Sequence, residues 1–157
     1  MTDVDQMLPW DTDIDTQVSV QTLERLGSEY NQTLHRYDDS VSTSRWMRRA
    51  VQRDYFLDVN SWIGERTYGD GQNVIDARWI DVRNGLFIDI TGLTETAPER
   101  NPGMVQCKNN HFYRVEDLFP LTETTFEGVT ALVPNNSARA LTEEYGEQSL
   151  VLEQFNG

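Results

Sequence analysis

Three carboxylates stand at alternate positions in "LPWDTDIDTQ" (residues 8 to 17): Asp11, Asp13 and Asp15. In extended backbone they share one face while Ile14 points to the other. Like charges this close repel unless a cation sits among them. An isolated D-x-D also serves as an acidic loop that solvates a strand end. The chemical reading is a divalent-metal site, because hard cations such as Mg²⁺ take one or two carboxylates together with substrate phosphates. Asp89 is the second point of interest. In "GLFIDITGL" (85 to 93) it interrupts an apolar strand whose Ile88 and Ile90 should face a core. A desolvated carboxylate is costly unless it is paired or bound to a cation. Its candidate partners are Arg78 or Arg83 of the preceding strand, or a metal shared with Asp13 and Asp15. In such a triad the metal bridges phosphate oxygens, and the protein supplies positioning and charge neutralisation. Asp81, beside a turn, reads as structural.

Other residues able to do chemistry carry weaker patterns. Cys107 and His111 lie four apart, but two ligands without a second pair make a poor zinc site, so a structural role is expected. His35, beside Arg36 in a polar stretch, is expected to be solvated. Arg45, Arg48, Arg49 and Arg53 suit bidentate phosphate recognition, although a helix face paired with surface carboxylates is the plainer reading. Arg78 and Arg83, close to Asp89 in sequence, are better placed to reach a donor diphosphate.

The elements that must position these residues follow from periodicity and turn chemistry. "SVQTLERLGSEYNQTL" (19 to 34) predicts a helix, with Ser19 as N-cap and Val20, Leu23, Leu26 and Tyr30 on one face. Residues 35 to 54 are polar: "DDSVSTS" reads as a loop and "RWMRRAVQRD" as a short cationic segment of open structure. "YFLDVN" (55 to 60) has strand composition, and Gly69-Asp70-Gly71 reads as a turn. "ARWIDV" (77 to 82) and "LFIDI" (86 to 90) flank Arg83-Asn84-Gly85, and Asn-Gly between apolar runs predicts a hairpin. A loop is expected over 94 to 103 and a strand or hairpin over 126 to 134. A last helix within 135 to 150 would be capped by Asn or Ser, with Gly146 ending or bending it. This order predicts an α+β domain on a mixed or antiparallel sheet.

Composition narrows the function classes. The 157 residues suit one domain spanning 1 to 157. With 26 acidic against 13 basic residues, the formal charge of −13 repels nucleic-acid backbones, so no nucleic-acid partner is expected. No window approaches the roughly 18 to 20 apolar residues of a membrane span. The single Cys107 excludes an intrachain disulfide. Asn31-Gln32-Thr33 and Asn135-Asn136-Ser137 match the glycosylation triplet, which matters only in a secretory lumen.

"LPWDTDIDTQVS" resembles the P-W-D-x-D-I-D segment of the LicD/fukutin family. "DARWIDVRNGLFIDITGL", "CKNNHFY…EDLFPL", "FEGVTALVPNN" and "LTEEYG" resemble successive later blocks of its fungal members. The resemblance implies a nucleotidyltransferase-like mixed sheet flanked by helices, and transfer of a phosphorylated alcohol or sugar unit such as phosphocholine, ribitol phosphate or mannosyl phosphate. It implies a nucleotide-linked donor of CDP or GDP type, a glycan or glycoprotein acceptor, and Mg²⁺ or Mn²⁺ as cofactor. Asp13 and Asp15 match the metal pair, Asp89 the third acidic position and Asp11 the leading Asp, which is assigned with Arg78 and Arg83 to substrate binding. Family members carry a G-T-L-L-G-like segment upstream of P-W-D that this sequence lacks, so a truncated, catalytically incomplete form is the expectation. A non-catalytic glycan-binding or regulatory relative is the alternative. The resemblance implies the Golgi lumen; the chain as written, taken as complete, implies a soluble cytoplasmic protein.

Overall fold

The computed structural model describes residues 13–44, 47–67 and 74–150. They form an α+β structure in two compact units that divide between Leu93 and Thr94.

In the first unit, β1 (Ile14–Ser19) runs directly into α1 (Val20–Glu29). The Ser19 hydroxyl accepts a hydrogen bond from the Thr22 N–H at 3.1 Å and satisfies one of the orphan donors of the first turn. The helix is shorter than its sequence pattern predicts. It ends at Tyr30, whose N–H donates to the Leu26 carbonyl, and Gln32 at φ 57° turns the chain into β2 (Thr33–Ser44). β2 pairs antiparallel with β3 (Met47–Val59), from Thr33↔Leu57 to Ser44↔Met47. The loop expected over "DDSVSTS" is therefore a strand, and the Arg-rich stretch belongs to the strand facing it. Their polar faces are joined across the ribbon. Arg36 holds Asp54 with two hydrogen bonds of 2.7 and 2.8 Å, Arg53 holds Asp39 at 2.9 Å, and Gln52 donates to Asp38 at 3.1 Å. A ribbon stabilised by cross-strand pairs rather than by one buried face carries no apolar alternation.

β4 (Ala77–Asp81) and β5 (Phe87–Glu95) form the predicted hairpin around Arg83-Asn84-Gly85. Gly85 sits at φ 78°, which favours glycine, and its N–H donates to the Asp81 carbonyl at 2.8 Å. β1 then pairs parallel with β5, from Ile14↔Ile88 to Ser19↔Leu93. The resulting mixed sheet has the order β2-β3-β4-β5-β1. Its α1-covered face carries Leu57, Val59, Ala77, Val18 and Ile90, packed with Leu23 and Leu26 of the helix. At the edge of this core the fully buried Asp76 accepts from the Gly92 N–H at 2.7 Å and pairs with Arg66 at 3.0 Å. Arg66 also donates to the carbonyls of Ile63 and Gly92. The turn expected at 69 to 71 lies outside the described residues.

In the second unit Thr94 and Glu95, the end of β5, pair with β6 (Met104–Gln106), and β6 with β7 (Phe112–Arg114). The short helix α2 (Val115–Leu118) follows. β8 (Thr122–Phe126) and β9 (Val129–Val133) make a hairpin whose two turn residues, Glu127 and Gly128, both have positive φ, as a type I′ turn requires. α3 (Ser137–Tyr145) is capped by Asn136, which accepts from the Arg139 N–H at 3.3 Å, and stops at Gly146 with φ 80°. Cys107, Lys108, Tyr113 and Leu118 are buried here. Among the described residues no helix is long and apolar enough to cross a membrane.

Candidate functional site

Strand register brings acidic residues of distant sequence into one line. Asp15 of β1 is the direct partner of Asp89 on β5, Asp89 of Arg78 on β4, and Arg78 of Asp58 on β3. Register partners share a face, so these four residues cross the sheet on the side opposite α1. Asp13, two residues before Asp15, lies just ahead of β1.

Arg78 is the cation at the centre of this row. Its Nε donates to Asp89 Oδ1 at 2.7 Å, and its guanidinium lies 4.5 Å from the Phe87 ring centroid. The Asp89 hydrogen bond raises the Arg78 pKa above its ordinary value. Burial opposes this, and the charges of Asp89, Asp13 and Asp58 add to it. Asp13 and Asp89 are thus within electrostatic reach of the same guanidinium. The Asp89 side chain is 7% exposed and that of Arg78 45%, so the arginine reaches solvent while the carboxylate does not. The Thr16 hydroxyl donates to the Asp89 carbonyl at 3.2 Å and ties β1 to β5 at the same point.

Hard oxygen donors on one face are the right chemistry for Mg²⁺ or Mn²⁺. The geometry is not that of a metal cage. Arg78 already takes one Asp89 oxygen, and among the described residues no three His, Cys, Asp or Glu side chains are grouped to hold an ion. The arrangement is a carboxylate row neutralised by an arginine. Asp11 lies outside the described residues. Arg83 is exposed in the β4–β5 turn, its N–H donating to Asp81 Oδ1 at 2.9 Å, and among the described residues no ion pair joins it to Asp89. Asp81 is the turn-side structural residue expected.

Asp58 escaped the sequence reading, although it carries the same signature as Asp89: an acid between two apolar residues of a strand, here Leu57 and Val59. His35 is half-buried rather than solvated, its Nε2 2.8 Å from the Thr33 hydroxyl and its ring 4.9 Å from Trp79. Cys107 and His111 meet through the backbone, the Cys107 N–H donating to the His111 carbonyl at 3.1 Å. Burial pushes the Cys107 thiol up, away from a reactive thiolate, and His111 Nδ1 is 3.7 Å from Glu144. Arg48, Arg49 and Arg53 lie on β3 and not on a helix; Arg45 is outside the described residues.

Residues 3–136 match the family model described as LicD/FKTN/FKRP, nucleotidyltransferase domain. The chain belongs to the LicD family. Two curated relatives from Saccharomyces cerevisiae are similar to this LicD-family chain. Mannosyltransferase regulator 4 is 44% identical over 94 residues, covering 59% of the chain and 7% of that protein. Mannosyltransferase regulator 14 is 40% identical over 86 residues, covering 55% of the chain and 8% of that protein. Each match therefore covers less than a tenth of the relative's length.

Proposed function

We propose that this LicD-family chain takes part in glycoconjugate biosynthesis in the secretory pathway, in the transfer of a phosphorylated alcohol or sugar unit from a nucleotide-linked donor to a glycan. The unit is of phosphocholine, ribitol phosphate or mannosyl phosphate type, the donor of CDP or GDP type, and the fold nucleotidyltransferase-like. The observation that carries the reading is the Asp15–Asp89–Arg78 line, in a chain whose family model is a nucleotidyltransferase domain. Phosphoryl transfer asks a protein mainly for positioning and charge. Arg78, half-exposed, presents a planar fork suited to a phosphate, and Arg83 on the adjoining turn would supply a second cation. Withdrawal of Arg78 would leave Asp89 beside Asp15, with Asp13 next to them, as the oxygen set for Mg²⁺ or Mn²⁺.

A second reading has support of its own. Arg78 occupies the carboxylate row, and both yeast relatives are named mannosyltransferase regulators, which favours a protein that assists a transferase without performing the chemistry. Donor-dependent release of CMP or GMP in the presence of a glycan acceptor and Mn²⁺ separates the two. Release that disappears in the Asp13→Asn, Asp15→Asn double variant supports the transferase. Absence of release from the wild-type protein, with stimulation of a separate mannosyltransferase, supports the regulator.

A further inference from the structure

The α1-covered face of the sheet continues past the helix as a strip of rings. Tyr30, the helix C-cap, has its ring centroid 6.2 Å from His35, and His35 lies 4.9 Å from Trp79. Trp79 and Tyr55 are near-parallel, 5.6 Å apart with 13° between their planes. Tyr37 meets both edge-on, at 5.9 Å from Tyr55 and 6.3 Å from Trp79. The strip is not closed over, since Tyr37 remains 51% exposed. Tyr37, Tyr55 and Trp79 line a shallow depression of about 510 Å³ with Asp38, Asp39 and Arg53. Arg53 Nε donates to Asp39 at 2.9 Å, and its Nη1 lies 3.9 Å from Asp81.

Rings that are exposed at Tyr37 and half-buried at Tyr55 and Trp79, beside a carboxylate and a guanidinium, select their ligand by chemistry. One arginine already answered by Asp39 and Asp81 leaves no surplus positive charge for a phosphate or a nucleic acid. Asp39 is tied to Arg53 and to the Ser40 N–H, and Asp38 to Gln52, so both carboxylates of the depression are already engaged and the rings alone would have to hold an ammonium group. A neutral pyranose fits both parts: its C–H face packs on the electron-rich ring faces, and its hydroxyls donate to Asp39 and accept from Arg53. We propose that Tyr37, Tyr55 and Trp79, with Asp39 and Arg53, bind a pyranose unit of a neutral glycan.

Register puts this strip on the opposite side of the sheet from the Asp15–Asp89–Arg78 row: Trp79 and Tyr55 alternate with Arg78 and Asp54 along their strands. The strip therefore anchors a glycan away from the phosphate chemistry. The inference rests on the reading that this protein handles glycans, but needs no catalysis by it.

The test is titration of the full chain with mannotriose and, separately, maltotriose, followed by amide and indole NMR shifts, with tetramethylammonium and inorganic phosphate as control probes. Saturable shifts at Tyr37, Tyr55 and the Trp79 indole are expected with a sugar. Tyr37→Ala should weaken binding about fivefold or more. Asp39→Asn, which keeps every ring, should also weaken it, and Asp13→Asn with Asp15→Asn should leave it unchanged. Absence of sugar-induced shifts at these residues overturns the proposal, as does a response to tetramethylammonium or phosphate alone. Nucleotide release measured on the same samples keeps the two readings apart. Loss of sugar binding with release intact sinks only the strip, and loss of release with binding intact sinks only the transferase.

Discussion

Two of the buried aspartates of the first unit, Asp76 and Asp89, are each answered by an arginine, and they are built differently. Asp76 is fully buried, and its carboxylate accepts from the Gly92 N–H and from Arg66, which also donates to the Ile63 and Gly92 carbonyls. Asp89 has an arginine that reaches solvent, and that arginine feels Asp13 and Asp58 as well. One pair is enclosed by the fold. The other shares its cation with further carboxylates, and that cation reaches solvent. Burial with an ion pair therefore does not identify a functional acid by itself.

That contrast predicts unequal costs. Asp76→Asn strands Arg66 in the interior and should destabilise by about 3 kcal/mol or more, read as a large fall in Tm; a loss below about 1 kcal/mol would erase the distinction. Gly92→Ala acts on the same clamp. A Cβ there would lie 2.9 Å from Leu23 Cδ2, 3.0 Å from Arg66 Nη2 and 3.2 Å from Asp76 Oδ2, so a cost of about 1 to 3 kcal/mol is expected in denaturant unfolding. Asp89→Asn should cost only about 1 kcal/mol by the same measurement, because Arg78 turns to water when released. An Asp89 cost equal to that of Asp76 would make the row a structural device.

The smallest effect lies in the ribbon, where each pair joins an exposed charge to a half-buried one. The Ser40 N–H, and then Arg53, hold the Asp39 carboxyl below the usual range, and the Arg36 hydrogen bond does the same for Asp54. Since the folded values lie below the unfolded one of about 3.9, this stabilisation is present above that pH. It is lost as pH falls through the depressed folded values. Amide protection along β2 and β3 should be level from pH 5 to 8 and fall only below about pH 4.

What the sequence disclosed and what it hid follow from the same contrast. Ser19, Asn84-Gly85, Asn136 and Gly146 mark ends and turns through local chemistry, and each acts where its type predicts. Asp89 was conspicuous because an acid between Ile88 and Ile90 breaks an apolar strand, and Arg78 was among its named candidate partners. The β2–β3 ribbon was not legible, because Asp38, Asp39 and Ser40 become strand only through the residues facing them across the hairpin. Asp58 joins the row, and Tyr37 meets Trp79, through register between strands, which no local window contains.

The proposed function requires that Arg78 hold a cation-competent carboxylate set in its neutralised form. Calorimetric titration of Mn²⁺ into the wild-type chain, Arg78→Gln, and Arg78→Gln combined with Asp13→Asn and Asp15→Asn tests it directly. Removing one positive charge from beside these carboxylates should tighten Mn²⁺ binding about tenfold or more, and the triple variant should not bind. Equal behaviour of the wild-type chain and Arg78→Gln, whether both bind or neither does, would contradict it.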